Sequence, residues 1–557
     1  MSSAYRDGHG PEEGHETVDV VVVGSGAAGL TAATTASDAG ARVLVVERAE
    51  QLGGTTAVSG GMPWVPMNAH MRDVGVVDSR EEALTYLRRL TMGREPAAEL
   101  LEVYVDTAAD AIAYLEAKTP LRLSAPPTFS DYHADLPGGK PAGRSLEPAP
   151  FDAAARLGTH AARVRTGPHL PWLTFEEGAK FGTPDGPHVE LAARRQKDDV
   201  RVVGASLIAS LYRGLMDRGV EVRTSTRVRG LVASDNGDPA GPAVAGVVVD
   251  GPGTILARKG VVLACGGYEW NEGMVRAFIG HDLTPLTPPH NEGDGHLMGM
   301  AVGARLANMG SYWGQPAFAE PGFAIDGREV SQMAMLRGVP GVLMVNRRGR
   351  RFTNEGIPYN DLPKIVDQYD PVAMEYPNES KWVVFDHEIR ESVPIVPGVQ
   401  IDGPLPGWVA QAATVRELAV RIGVDPDELD ATVRRWNSQV ESGDDPDFGR
   451  GTLWWEGFMV GGPTAAMRRS VGVGPFYAVP LVDGTLGTNG GLVIDADARV
   501  RRWGGGVVPG LYAAGNVTAS VFGPAYPGGG ATIGPAITFG FLAGRHAGAR
   551  VAGEGSA

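Results

Sequence analysis

Val18 to Val23 is a valine run interrupted only by Asp19, the pattern of a short strand buried on both faces. A glycine-rich turn, Gly24 to Gly29, follows it, and Ala- and Leu-rich residues then continue with helical composition to about Gly40. Arg42 to Glu47 predicts a second buried strand. Together these segments form a βαβ unit, which requires a parallel sheet and a right-handed crossover. Helical patterns recur over Ser79 to Leu90, Glu95 to Leu115 and Val203 to Gly219, and Val220 to Thr224 predicts a strand. Pro120 to Pro150 is rich in Pro and Gly and reads as a long loop. Val228 to Val249 predicts a β-meander turning at Asn236-Gly237, and Lys259 to Ala264 another buried strand. From about 310 to 486 the character changes, with scattered aromatics and prolines and short helices near Thr414 to Ile422 and Pro426 to Val440. Gly510 to Ala514 then reads as a strand, and Ile533 to Ala549 as an apolar helix.

A chain of 557 residues is comfortable for two or more domains. Its 78 glycines are about twice the usual share of ~7%, which points to many tight turns or close approaches to a ligand. The net charge of −15 argues against nucleic acid or an anionic membrane as the main partner. Cys265 is the single cysteine, so neither an internal disulfide nor a Cys-rich metal framework is expected. The polar start lacks an apolar signal region, and no apolar run approaches the ~20 residues of a spanning helix. We therefore expect a cytoplasmic location and no integral membrane segment.

The turn reads Gly24-Ser25-Gly26-Ala27-Ala28-Gly29. Gly24 permits the tight turn, Gly26 lets the backbone approach a pyrophosphate, and Gly29 lets helix and strand pack closely. The helix N-terminus then presents N–H groups to phosphate. Glu47, followed by Arg48, ends the second strand at the right distance to hold a ribose diol. Three further segments favour FAD over NAD. Gly53-Gly54-Thr55-Thr56 and Ser59-Gly60-Gly61 follow the βαβ unit directly, and Leu263-Ala264-Cys265-Gly266-Gly267 closes a later strand. Gly510 to Asn516, with Gly515 and then Ile533, lies far away near the end. A nicotinamide domain has no need of such a distant element, whereas a flavin has an extra ring system to cradle. The expected fold is thus α/β: a discontinuous, Rossmann-like FAD-binding domain (18–310 and 487–557) with an inserted α+β catalytic or cap domain (311–486), after a disordered lead-in (1–17).

This arrangement resembles the fumarate reductase and succinate dehydrogenase flavoprotein superfamily. Four motifs narrow the resemblance to the 3-ketosteroid Δ1-dehydrogenases: Phe129-Ser130-Asp131-Tyr132 with Gly143 to Pro148; Arg351 to Tyr359; Gly523 to Gly530; and Gly474 to Ala478 with Leu486 to Gly491. The resemblance implies non-covalent FAD, a 3-ketosteroid substrate and an electron acceptor such as a quinone. It implies Tyr359 as the general base, Tyr132 as its support, and Tyr526 with Gly530 as binders of the C3 carbonyl oxygen. Contact with a membrane surface stays open, because steroid-like substrates dissolve in lipid.

The chemistry agrees with those residue types. Removing hydrogens from C1 and C2 of a 3-ketone needs a proton acceptor at C2 and a hydride acceptor at C1, the flavin N5. The C2–H becomes acidic only if charge on the carbonyl oxygen is stabilised, which a phenol and a backbone N–H would do. A free tyrosine has a pKa of ~10, so the base needs tuning downward. Any lone tyrosine is an ordinary packing residue, and it is the joint motif context that singles these out. Asn354-Glu355 reads as loop-orienting, Arg144 as a loop clamp and Asp294 as a turn and helix cap. Two departures stand out. His133 occupies a position where the family often has a second tyrosine, and Gly529 sits where proline is common and is expected to loosen the oxyanion turn. Competing readings are Δ4 desaturation, a fumarate-reductase-like enzyme, and a flavin-binding sensor without turnover.

Overall fold

The computed structural model describes residues 15–167, 172–180, 189–234, 241–251, 253–395, 401, 403–457, 463–467 and 469–551. The first sheet is ordered Arg499–Arg501, Val507–Ala513, Gly253–Leu263, Glu16–Val23, Val43–Val46 and Glu221–Arg223. Along this order all neighbours run parallel except the outermost pair, Arg499–Arg501 with Val507–Ala513; Ala243–Val249 and Val228–Ser234 add an antiparallel branch to Gly253–Leu263. Val20 to Val23 pair on one side with Val43 to Val46 and on the other with Gly260 to Leu263. Leu263 in turn pairs with Ala513. The late strand thus lies directly beside the one that ends in Ala264-Cys265-Gly266, so the two distant flavin segments are lateral neighbours.

The opening strand starts at Glu16, inside the segment expected to be disordered. Glu16 and Thr17 pair with Ile255 and Leu256, and ladder hydrogen bonds fix them. Residues 1–14 of that lead-in, like the turn expected at Asn236-Gly237, lie outside the described residues. Gly253–Leu263 is also longer than its apolar half, because its first residues pair antiparallel with Ala243–Val249.

The second sheet, ordered Gln332–Met333, Tyr312–Phe318, Phe476–Thr488, Lys381–Phe385 and Leu343–Asn346, forms the core of the inserted part. It takes in Thr284–Pro285, which pairs with Gly484 and Thr485, so this sheet draws on chain before residue 311. The helices expected near 414 and 426 span Val415–Ile422 and Pro426–Ser442, and each begins on a side-chain cap, Thr414 and Asp425.

The first helix, Ala27–Asp38, packs along the last, Ile533–Ala549. Their seam has no room for side chains. A Cβ at Gly540 would lie 2.5 Å from the Ala28 carbonyl oxygen, and one at Gly544 would lie 2.0 Å from the Thr35 hydroxyl. No helix among the described residues is long and apolar enough to cross a membrane.

Candidate functional site

The valine strand delivers the chain into Gly24, whose φ of +106° suits glycine and where a Cβ would lie 2.3 Å from the Ala264 carbonyl oxygen. Gly29 is tighter still, with 1.9 Å from a Cβ to the Gly24 carbonyl oxygen. Gly26 differs: the nearest atom to a Cβ there is the Thr56 hydroxyl at 3.5 Å, an ordinary contact, so this stretch of backbone is not tightly packed. The same hydroxyl accepts from the Ala27 N–H at 3.2 Å, which ties the Gly53-Gly54-Thr55-Thr56 turn to the helix start. The Thr55 hydroxyl accepts from Asn291 Nδ2 at 3.0 Å. Ser59 closes its own turn, donating to the Thr56 carbonyl at 2.8 Å and accepting from the Gly61 N–H at 3.0 Å. At Gly60 a Cβ would strike the Phe175 ring at 2.5 Å.

Glu47 is buried. Its Oε2 accepts from the Ser25 N–H at 3.0 Å and hydroxyl at 2.7 Å, and its Oε1 accepts from the Ala49 N–H at 2.9 Å. It braces the glycine turn, and its remaining lone pairs stay available to a diol. Arg48 is engaged elsewhere. Its Nη1 donates to Glu292 at 3.0 Å and to the His290 carbonyl at 2.9 Å, so its guanidinium anchors the 290–294 loop. Asp294 is the first residue of the helix Asp294–Ala301 but not its cap, which is Gly293 with no side-chain bond; its carboxylate is ion-paired with Arg227 at 2.6 Å.

On the other side of the cradle, the Ala264 N–H donates to the Val23 carbonyl at 2.8 Å. Gly266 (φ +79°) passes close under Asn291, and Gly515 packs on Ala28. Asn516, Asn489, Gly515, Thr532 and Trp313 line one cleft. Ile533 begins the last helix, whose N-cap Thr532 makes no side-chain capping bond. Asn489 is 1% exposed, and neither its amide nitrogen nor its oxygen has a partner. A buried amide with both ends unpaired calls for a polar ligand. With the loosely packed glycine turn at Gly26, it gives this cradle features an FAD needs.

The phenols converge from three separated stretches. The ring centroids of Tyr132, Tyr359 and Tyr526 lie 5.5 Å apart in all three pairings. The Tyr132 and Tyr526 side chains act on the Tyr359 hydroxyl, and the Gly530 backbone and the Thr532 side chain act on that of Tyr526. Gly530 joins the phenols to the cradle: its carbonyl accepts from the Trp64 and Gly534 N–H groups, and a Cβ on it would lie 2.1 Å from the Met62 carbonyl oxygen, just beyond Gly61. Burial pushes all three phenols upward, Tyr132 and Tyr359 well above the ordinary value, and the neighbouring phenols push Tyr359 further.

Neighbouring residues hold this geometry. The Tyr132 N–H donates to the Pro527 carbonyl at 3.0 Å. Beside it, Asp131 accepts from Trp64 Nε1 at 2.7 Å and Arg144 Nη1 at 2.7 Å, and Arg144 grips Asp78 at 2.6 Å. Arg144 is thus a clamp. Glu355 is wholly buried between Arg351 (2.8 Å) and Arg450 (3.0 Å), which orients the loop leading to Tyr359. His133 Nε2 lies 3.0 Å from the Asp361 carboxylate, joining the neighbours of Tyr132 and Tyr359. Gly529 is closely packed rather than loose, since a Cβ there would meet the Phe129 ring at 2.6 Å.

Sequence reasoning missed Trp455, whose ring lies 4.3 Å from Tyr132, and Trp313, 5.1 Å from Tyr526. It also missed Asn489 as a ligand-facing amide, although the motif containing it was noted, and Arg337, which has no motif around it.

Residues 19–533 match the family described as FAD binding domain. The chain is 38% identical to 4-oxocyclohexanecarboxylate 2-dehydrogenase of Sinomonas cyclohexanicum, over 96% of this chain and 94% of that protein. It is 36% identical to 3-oxosteroid 1-dehydrogenase of Mycobacterium tuberculosis, over 95% of this chain and 98% of that protein. Among solved structures, 3-ketosteroid delta1-dehydrogenase from Sterolibacterium denitrificans, in complex with 1,4-androstadiene-3,17-dione, matches with a TM-score of 0.88 and 33% identity, covering 96% of this chain and all of that one. With the α/β fold and its paired cradle, these likenesses place the chain in the 3-ketosteroid Δ1-dehydrogenase family of FAD-dependent oxidoreductases, within the fumarate reductase and succinate dehydrogenase flavoprotein superfamily.

Proposed function

We propose that this protein introduces a double bond beside a ring ketone, with a 3-ketosteroid as substrate and C1–C2 as the bond oxidised. The reading is carried by one observation: three buried phenols from separate stretches of chain meet with their ring centroids 5.5 Å apart, and the Gly530 backbone acts on the hydroxyl of one of them. The Tyr526 hydroxyl and the Gly530 N–H receive the ketone oxygen and stabilise the charge it gains. The phenol oxygen of Tyr359 takes the proton from C2, with Tyr132 holding that oxygen in place. Trp313, Trp455 and Phe129 supply apolar walls, which favour phenols over carboxylates because a buried carboxylate would be heavily penalised. FAD, held without a covalent bond, supplies the two-electron acceptor. The segments 18–310 and 487–557 hold it, and 311–486 brings Tyr359. A quinone fits as the final acceptor, and the cytoplasm as the location.

A smaller ring ketone is a second reading, favoured by the 38% identity to 4-oxocyclohexanecarboxylate 2-dehydrogenase. Anaerobic titration of the FAD-loaded protein separates the two. Bleaching of the flavin by 4-androstene-3,17-dione, with a 1,2-double bond in the product, supports the steroid reading. Bleaching by 4-oxocyclohexanecarboxylate alone supports the second. A flavin that stays yellow with both refutes desaturation.

A further inference from the structure

Arg337 lies in the short helical turn Met335–Gly338 and is 7% exposed. Its Nη1 donates to the carbonyl oxygens of Glu355 and Ile357, the latter at 2.9 Å, and both belong to the loop that ends in Tyr359. Its Nε is buried without a partner, and among the described residues it makes no ion pair. Glu355, the one carboxylate acting strongly on it, is already committed to Arg351 at 2.8 Å and Arg450 at 3.0 Å, with Asp445 completing Arg351 at 3.0 Å. The other titratable groups near the phenols are closed among themselves: His133 and Lys364 both contact Asp361, at 3.0 and 2.7 Å. An unpaired guanidinium in a dry interior is strongly unfavourable unless an anion completes it. The groups that favour its charge are Tyr132, Glu355 and Tyr359, whereas burial and then Arg450 pull its own pKa down to about 10.

We propose that Arg337 is the counter-charge of a Tyr359 phenolate: a positioning residue that makes the proton acceptor available while its two carbonyl bonds hold the loop. This rests on Tyr359 being the base. It resolves a conflict at the site, because burial and the neighbouring phenols alone drive Tyr359 away from the ionised form that a base requires. When the C2–H bond breaks, its proton forms the O–H bond of Tyr359, and the electron pair is left as an enolate on the ketone oxygen. The negative charge thus passes from Tyr359 to the ketone oxygen, which the Tyr526 and Gly530 donors face.

The test uses FAD-loaded protein carrying R337Q, R337K or Y359F, with kcat/KM followed against pH. Anaerobic uptake of solvent deuterium at C2 of the ketone is measured alongside. In R337Q the rising limb moves up by at least about one pH unit, and deuterium uptake at neutral pH falls about tenfold. R337K, which keeps the charge, holds the limb near its original position. Equal shifts in R337K and R337Q assign the side chain to loop structure alone and overturn the proposal, as does an unmoved limb in R337Q. Normal deuterium uptake in Y359F instead rejects Tyr359 as the base. Should R337Q not fold, ultraviolet titration of the unaltered holoenzyme decides. One of its 14 tyrosines must ionise below pH ~10 and be missing from Y359F, and if none does the proposal fails.

Discussion

Replacing Tyr526 by phenylalanine removes one oxygen and little else. The ring packs between Trp313 at 5.1 Å and Tyr132 at 5.5 Å, and phenylalanine keeps that volume. The lost hydroxyl is one of two groups facing the ketone oxygen, and the Gly530 N–H remains. Loss of one donor from such a pair raises the barrier by about 2.7–4 kcal/mol, a fall in kcat of about 10²–10³. The interaction strengthens as charge develops on the oxygen, so the loss should appear in kcat and leave KM largely unchanged. Stopped-flow reduction of the flavin under anaerobic conditions reads the chemical step directly, and an unaltered flavin spectrum shows that the cradle survives. A fall in kcat of less than about tenfold, or a loss confined to KM, would refute the assignment of Tyr526 as an oxyanion donor.

Three further outcomes follow from the packing. E355Q leaves Arg351 and Arg450 buried without their shared carboxylate, and stability should drop by about 3–5 kcal/mol in thermal or denaturant unfolding. Burial raises the pKa of Glu355, but the two arginines outweigh it and hold it below the usual range. Its stabilisation is therefore fully present above the unfolded value of ~4.3 and is lost as pH falls through the folded one, a loss that E355Q should not show. G544A pushes a methyl against the Ala32 carbonyl oxygen at 2.2 Å, so the protein should lose about 1–3 kcal/mol and retain less flavin on gel filtration. N489A removes the unpaired buried amide, and FAD dissociation, followed by fluorescence, should become about tenfold more favourable because roughly one hydrogen bond to the flavin is lost.

The parts legible in the sequence are those set by local rules. Val18 to Val23 and Gly24 to Gly29 announce a strand and a phosphate turn because chain alternation and glycine φ are properties of neighbouring residues. Tyr132, Tyr359 and Tyr526 were legible through the motifs around them, although nothing in their spacing brings them together. Arg48 shows the limit. Its place after Glu47 suggests a cofactor contact, yet its guanidinium is held by Glu292, a partner far away in sequence. Trp455 and Arg337 were invisible for the same reason, since their roles come from the rings and carbonyls that folding sets beside them. The early start of the first strand, at Glu16, was hidden because exposed Glu and Thr carry no apolar signal and are held there by pairing with Ile255 and Leu256.

The glycine seam between Ala27–Asp38 and Ile533–Ala549 has a consequence for biosynthesis. The ribosome makes the phosphate turn long before the helix that closes against it. A growing polypeptide therefore exposes half a flavin pocket until that helix emerges, and a message cut short before Ile533 is expected to yield a colourless product.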